Sequence, residues 1–181
     1  VLLLIDETHT ISAGPCGAIG YYDLHPDIVV IGKSIGGGIP AAAYGVSAEF
    51  SESVLGRTDL DIIDMGGVGG TMAGNALSMA AARATLEEVL TDEAFAHMIG
   101  LADRFAAGVR EIFARHDLPW SVSQLGARTE YRFSEVPPSN GTEAAAWHDQ
   151  ELDDYFHLYL ANRGILLTPF HNMALMCPDT T

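Results

Sequence analysis

The sequence is nearly without lysine. Its basic residues are eight arginines and one lysine, Lys33, although lysine is ordinarily among the commonest residues of a protein surface. Positive charge of any kind is scarce, since nine basic residues against twenty-four acidic ones leave a formal net charge of −15. Such a chain repels phosphate backbones and anionic headgroups, which argues against nucleic acid and membrane surfaces as partners. A small molecule or another protein fits better.

Cysteine is scarce too. Cys16 and Cys177 stand far apart with no C-x-x-C spacing, a pattern of neither a disulfide framework nor a zinc site, and no metal ligand set is expected. A reducing, cytoplasmic compartment is the expectation. No signal peptide is expected, and Lys33, Glu49 and similar residues interrupt every apolar run before it could span a bilayer. Low-complexity tracts are missing as well. With 181 residues, 48% of them hydrophobic, there is enough material for a real core in one domain or one and a half. The sequon Asn140-Gly141-Thr142 reads as a plain turn.

What is present is organised in two parts. Val1 to Ile5 is an apolar run that reads as a strand buried on both faces. A glycine-rich loop, Ser12 to Gly20, leads to a second buried strand, Asp27 to Ile31, and Ala41 to Val46 reads as a third. A polar segment and the glycine cluster Gly66-Gly67-Val68-Gly69-Gly70-Thr71 follow. Asn75 to Leu90 has helical spacing, with Leu77, Ala80, Ala81, Ala84 and Val89 near one face. After N-cap chemistry at Thr91-Asp92, a second helix carries Phe95, Met98, Ile99, Ala102, Phe105, Ala106, Val109, Ile112 and Phe113 on one stripe, and stops before Pro119. Ser121 to Phe133 reads as strand pieces around Gly126, Glu143 to Arg163 as a third helix closed by Gly164, and Ile165 to Leu167 as a final strand. The expected fold class is α/β. Residues 1–90 read as part of a large domain with a mostly parallel sheet, and residues 91–181 as a smaller, incomplete α+β domain.

Chemistry enters at the strand ends. In open α/β sheets, ligands bind outside the carboxyl ends of the strands. Asp6 follows the first strand and Lys33 the second, so parallel strands would bring both charges out at one edge. A carboxylate and an amine facing one ligand beside glycines fit pyridoxal phosphate, with lysine forming the Schiff base and the acid keeping the pyridine nitrogen protonated. Taken singly, Asp6 reads equally as a cap or ion pair, and Lys33 as a solvated surface lysine. Arginine could not replace Lys33 in this chemistry, because it stays protonated and cannot act as an amine nucleophile.

A nucleotide site is the rival. "VLLLIDE" matches an apolar strand followed by an acid, and Gly32-Lys33-Ser34 matches the end of a P-loop. The spacing rejects it. A P-loop needs a glycine where this chain has Asp27, its glycines precede the lysine rather than follow it, and the acid strand here comes first.

"LLLIDETHT", then "IGKSIGGGIPAAAYG" with Lys33 27 positions after Asp6, then "GGTMAGNALSMAAARATLEEV" resemble in order and spacing the second half of class III pyridoxal-phosphate aminotransferases of fold type I. That group includes glutamate-1-semialdehyde aminomutases. The resemblance implies that Asp6 partners the pyridine nitrogen and that Lys33 forms the internal aldimine. It also implies that Thr71 binds the cofactor phosphate of the neighbouring subunit in a homodimer with a shared active site. The implied reaction moves an amino group from an amino acid or amine donor to a keto or aldehyde acceptor. Family members usually carry Val and then Gln or Met where this chain has Thr8 and His9. By position Thr8 would lie against the cofactor ring and His9 near its phenolic oxygen; a histidine merely packed at a strand end is the other reading.

Substrate residues are less defined. Arg128 and Arg132 in "LGARTEYRF" could bind a carboxylate, and both also fit strand residues paired with Glu130. Where some β-amino-acid members of the family place an arginine, this chain has Phe170 and His171, so an apolar or aromatic substrate side would pack on Phe170. The family's upstream phosphate loop, its stacking aromatic and its last helix are not found here. Three expectations stay open: part of a full aminotransferase, a half-length protein needing a companion chain, and a non-catalytic dimerisation module. An isolated chain is expected to be poorly soluble or oligomeric, because a buried strand would lie open.

Overall fold

The computed structural model describes residues 1–55, 70–167 and 171–181. The chain divides into two compact units, Val1–Asp92 and Glu93–Thr181. Most of the glycine cluster, residues 66–69, and Phe170 lie outside the described residues.

The first unit is built on a three-stranded sheet of order β1-β2-β3, with β1 at Leu4–Asp6, β2 at Ile28–Gly32 and β3 at Ala42–Val46. Strands β1 and β2 run parallel, with Asp6 opposite Val30. Residues 7–27, which contain a 3-10 turn at Thr10–Ala13 and helix α1 at Gly17–Tyr21, are long enough for the crossover that a parallel pair requires. Strand β3 departs from the expected parallel arrangement and pairs antiparallel with β2. Its physical reason is the short link: a 3-10 turn at Lys33–Gly36 and a few further residues can reverse the chain but cannot carry it back over the sheet.

Burial in this unit differs from expectation. Leu2, Leu3 and Leu4 are exposed, and so is every residue of β3. Strand β1 is an edge strand, and no described element covers its outer residues. The helix expected from Asn75 to Leu90 is α-helical over Ala76–Ala84, as α3, and widens into a π turn at Thr85–Val89. Asn75 caps it by accepting from the Ser78 amide at 3.0 Å. None of its side chains is buried, and Leu77, on the expected apolar face, is 65% exposed. Thr85 is the residue that packs inward. A Cβ placed on Gly37 would fall 2.7 Å from its Oγ1. Helix α2, Ala48–Leu55, follows β3.

The second unit has a closed core. Helix α4, Asp92–Arg115, buries Phe95, Met98, Ala102, Ala106 and Phe113, all from the expected stripe, while Ile112 remains exposed. It shares the unit with an antiparallel sheet of order β4-β5-β6, at Ser121–Leu125, Arg128–Arg132 and Met173–Leu175. Ala106, Phe113, Val122 and Tyr131 form its centre, with Trp120, Phe133 and Phe156 packed against it. Phe113 meets Trp120 edge to face at 5.5 Å and 87°, an arrangement aromatic quadrupoles favour, while Phe133 meets Trp120, Tyr131 and Phe156 at tilted angles.

Two expectations fail here. The single helix from Glu143 to Arg163 is two helices, α5 at Gly141–Ala146 and α6 at Gln150–Ala161. The Asp149 side chain accepts from the Leu152 amide at 3.0 Å and so starts a new helix. Likewise Ile165 to Leu167 forms no strand, and Leu166 is 91% exposed. The strand that completes the sheet is β6, where Met173 is buried opposite Glu130.

Candidate active site

The site is assembled at one edge of the first sheet. Because β1 and β2 run parallel, Asp6 at the end of β1 and Lys33 immediately after β2 emerge on the same side. The Glu7 amide donates to the Val30 carbonyl at 2.7 Å, which extends the ladder past Asp6 and fixes where the chain turns away.

Asp6 is exposed, and the Thr8 amide donates to its Oδ1 at 2.9 Å. Hydrogen bonds from the Thr8 side chain and backbone hold the Asp6 carboxyl below the usual carboxylate range, with smaller help from the charges of His9 and Lys33. It is therefore an anion at neutral pH. Thr8 is half-buried, and its Oγ1 lies 3.7 Å from where a Cβ on Gly32 would stand.

Lys33 has a positive φ of 54°, in the left-handed region that non-glycine residues avoid. Holding it there costs roughly 1–3 kcal/mol, and such strain concentrates at functional sites. The turn aims the side chain back toward the end of β1. Its Nζ lies 2.7 Å from His9 Nε2. The glycines after it serve close approach: Gly37, at φ 56°, passes against Thr85. Ser78 Oγ donates to the Pro40 carbonyl at 2.8 Å and ties α3 to the far end of the same loop.

One site residue was not legible in the sequence. Glu7 is only 3% exposed. Its carboxylate accepts from Thr10 Oγ1, from the Ala18 amide at 3.1 Å and from the Ile19 amide at 2.6 Å. These bonds fold residues 7–19 into a fixed loop, and His9 rides on it. Gly17, at φ 60°, leaves room for the carboxylate, since a Cβ there would fall 2.7 Å from Glu7 Oε1. An acid beside Asp6 with Thr10 three places on was the available signal, but burial could not be read from it.

Thr71 is exposed in the turn that precedes α3. Arg128 and His171 belong to the second unit, where they gather with Arg132 around one buried carboxylate. Glu130 lies 2.9 Å from Arg132 Nη2, 3.4 Å from His171 Nδ1 and 3.8 Å from Arg128 Nη2. Among the described residues, no cluster of His, Cys, Asp and Glu could hold a metal ion, and no helix is long and apolar enough to cross a membrane.

The aminotransferase class-III family profile matches residues 1–180. The chain belongs to the class-III aminotransferase family. Among curated relatives, glutamate-1-semialdehyde 2,1-aminomutase 2 of Staphylococcus saprophyticus is 32% identical over 93% of this chain and 38% of its own length. The protein of the same name from Geobacillus kaustophilus is 35% identical, with the same coverage. The class-III chain thus spans about two fifths of the length of the curated relatives it matches. A solved glutamate-1-semialdehyde aminomutase variant from Pseudomonas aeruginosa, in complex with PMP, superposes with a TM-score of 0.94 at 49% identity, over 100% of this chain and 41% of that one. An omega-transaminase from Sphaerobacter thermophilus, 24% identical, shares the fold with a TM-score of 0.82 over 99% of this chain and 40% of that one.

Proposed function

We propose that this class-III chain carries the lysine and the acid of a pyridoxal-phosphate-dependent aminotransferase that moves an amino group from an amino acid or amine donor to a keto or aldehyde acceptor. The observation that carries the proposal is the shared edge: an amine on a strained turn and a carboxylate kept ionised by Thr8 leave adjacent parallel strands together. That donor set fits the cofactor, which when bound supplies an aldehyde carbon for an amine and a protonated ring that accepts an electron pair.

Lys33 would hold the cofactor covalently and, when displaced by the donor's amine, move the proton at the reacting carbon. Asp6 would keep the ring nitrogen protonated. Thr8 holds Asp6 in its charged form and would lie against the ring face. Thr71 would bind the phosphate of the neighbouring subunit's cofactor in a homodimer. Arg128 and His171, already gathered by Glu130, would meet a substrate carboxylate, and Phe170 an apolar substrate group. In domain terms, the first unit would be the chain's share of the cofactor-binding domain, and the second its small domain. Free cysteines at 16 and 177 suit a cytoplasmic setting.

A second reading is favoured by one observation. The 32% and 35% identical curated relatives and the 49% identical structure are aminomutases by name. An aminomutase returns the amino group to the same carbon skeleton, so it would convert glutamate 1-semialdehyde with no added acceptor.

Two substitutions test the proposal. Lys33→Arg keeps the charge and should abolish amino transfer, measured as donor-dependent formation of the keto product. Asp6→Asn should leave cofactor capture intact and slow turnover by roughly 10²-fold. Parental turnover in Asp6→Asn would reduce Asp6 to a loop cap.

A further inference from the structure

The contact between Lys33 Nζ and His9 Nε2 is the shortest polar approach to the reactive amine. At 2.7 Å it is a full hydrogen bond between two side chains 24 positions apart, both exposed toward the same edge. When Nζ is an ammonium it has only hydrogens to donate, so Nε2 then accepts and the ring proton sits on Nδ1.

The loop that presents His9 is rigidly held. Glu7 fixes it from one side through Thr10 and the amides of Ala18 and Ile19, and Ser12 Oγ donates to the His9 carbonyl at 3.2 Å. The Asp6 carboxyl, held below the usual carboxylate range chiefly by its hydrogen bonds from Thr8, also feels the His9 and Lys33 charges to a smaller degree.

We propose that His9 is a catalytic proton carrier for Lys33, taking protons from Nζ and delivering them to the departing oxygen when the lysine bonds to an aldehyde carbon. The inference rests on the reading of Lys33 as the cofactor-binding amine. Nζ first gives its third ammonium proton to Nε2, from which solvent removes it; as the neutral amine then forms its bond to the aldehyde carbon, its two remaining protons pass in turn through Nε2 to the aldehyde oxygen. The carbon–oxygen bonds break, the oxygen leaves as water, and the carbon–nitrogen double bond closes. His9 ends as it began, and no oxidant or reductant takes part. A role toward the phenolic oxygen alone would place His9 near the ring without requiring this contact with the amine.

The test separates the carrier from the binding site by using two aldehydes. Apo protein is mixed with pyridoxal phosphate, followed by absorbance, and separately with para-nitrobenzaldehyde trapped by cyanoborohydride, followed by the mass of the Lys33 peptide. His9→Ala should slow both reactions by roughly 10- to 100-fold, and free imidazole should restore much of the rate. His9→Gln keeps an acceptor beside Nζ but cannot carry a proton, so it should remain slow. Parental rates in His9→Gln would make the residue a positioning group and overturn the proposal, as would parental rates in His9→Ala. If the parent protein took up para-nitrobenzaldehyde on Lys33 but not pyridoxal phosphate, the cofactor reading would fail, and the variants' rates with the simple aldehyde would still decide the role of His9.

Discussion

The two units hold their shape by different means. In Glu93–Thr181 a helix stripe and the inner face of a sheet close over Ala106, Phe113, Val122 and Tyr131, and aromatic rings fill the remaining space. In Val1–Asp92 the apolar side chains of β1 and β3 are largely exposed and those of β2 only half-buried, and the groups buried most deeply are a carboxylate, Glu7, with Ala13 and Ile35. Burial organises the one; directed hydrogen bonds around a loop organise the other. The reactive groups sit in the second kind of structure. A carboxylate accepting several backbone and hydroxyl hydrogen bonds specifies loop geometry more tightly than apolar contact does, and the Lys33–His9 distance depends on that geometry.

The comparison is broken most severely in the apolar unit. Phe113→Ala removes the ring shared by Trp120 and Tyr131 and should cost about 3–5 kcal/mol, seen as loss of the near-ultraviolet signal of Trp120. Reaction of Lys33 with an aldehyde should survive it. Loss of both together would mean that the site depends on the apolar core.

Gly37→Val probes the other unit. The new side chain would need the left-handed conformation and would strike Thr85 Oγ1, so a cost of roughly 1–3 kcal/mol is expected. Aldehyde capture by Lys33 should slow in step with the lowered melting temperature. Undisturbed capture would show that the Lys33 turn holds without the glycine contact.

The smallest effect is alkaline. Burial, with some repulsion from Asp153, pushes the Tyr131 hydroxyl up from 10.0 to about 12. Between those values the unfolded chain has lost the proton while the folded one retains it, so stability falls as pH rises through this window. After allowance for solvent screening the loss is roughly 1–2 kcal/mol. Tyr131→Phe should remove the alkaline slope, measured as denaturation midpoint against pH.

Much of this was legible in the chain itself, for identifiable reasons. The stripe of α4 is long and regular, so its period emerges from side chains alone. Lys33 and Asp6 stand out because each ends an apolar run, and strand ends are where charge can surface. The failures have one character. Asp149 looks like any polar helix residue until its side chain turns to cap α6. Ile165 to Leu167 has strand composition, yet β5 pairs instead with Met173 to Leu175, because strand pairing is decided by partners rather than propensity. Apolar runs at β1 and β3 predict burial only where another element covers them. Glu7 carries no sequence sign of being buried, and the Lys33–His9 contact depends on the loop that Glu7 holds.

The most direct test of the central claim is borohydride reduction of the protein loaded with pyridoxal phosphate, followed by peptide mapping. Lys33 is the single lysine of the sequence, so the pyridoxyl group should be found on the peptide that contains it. A label confined to the amino terminus, with the Lys33 peptide unmodified, would contradict the account.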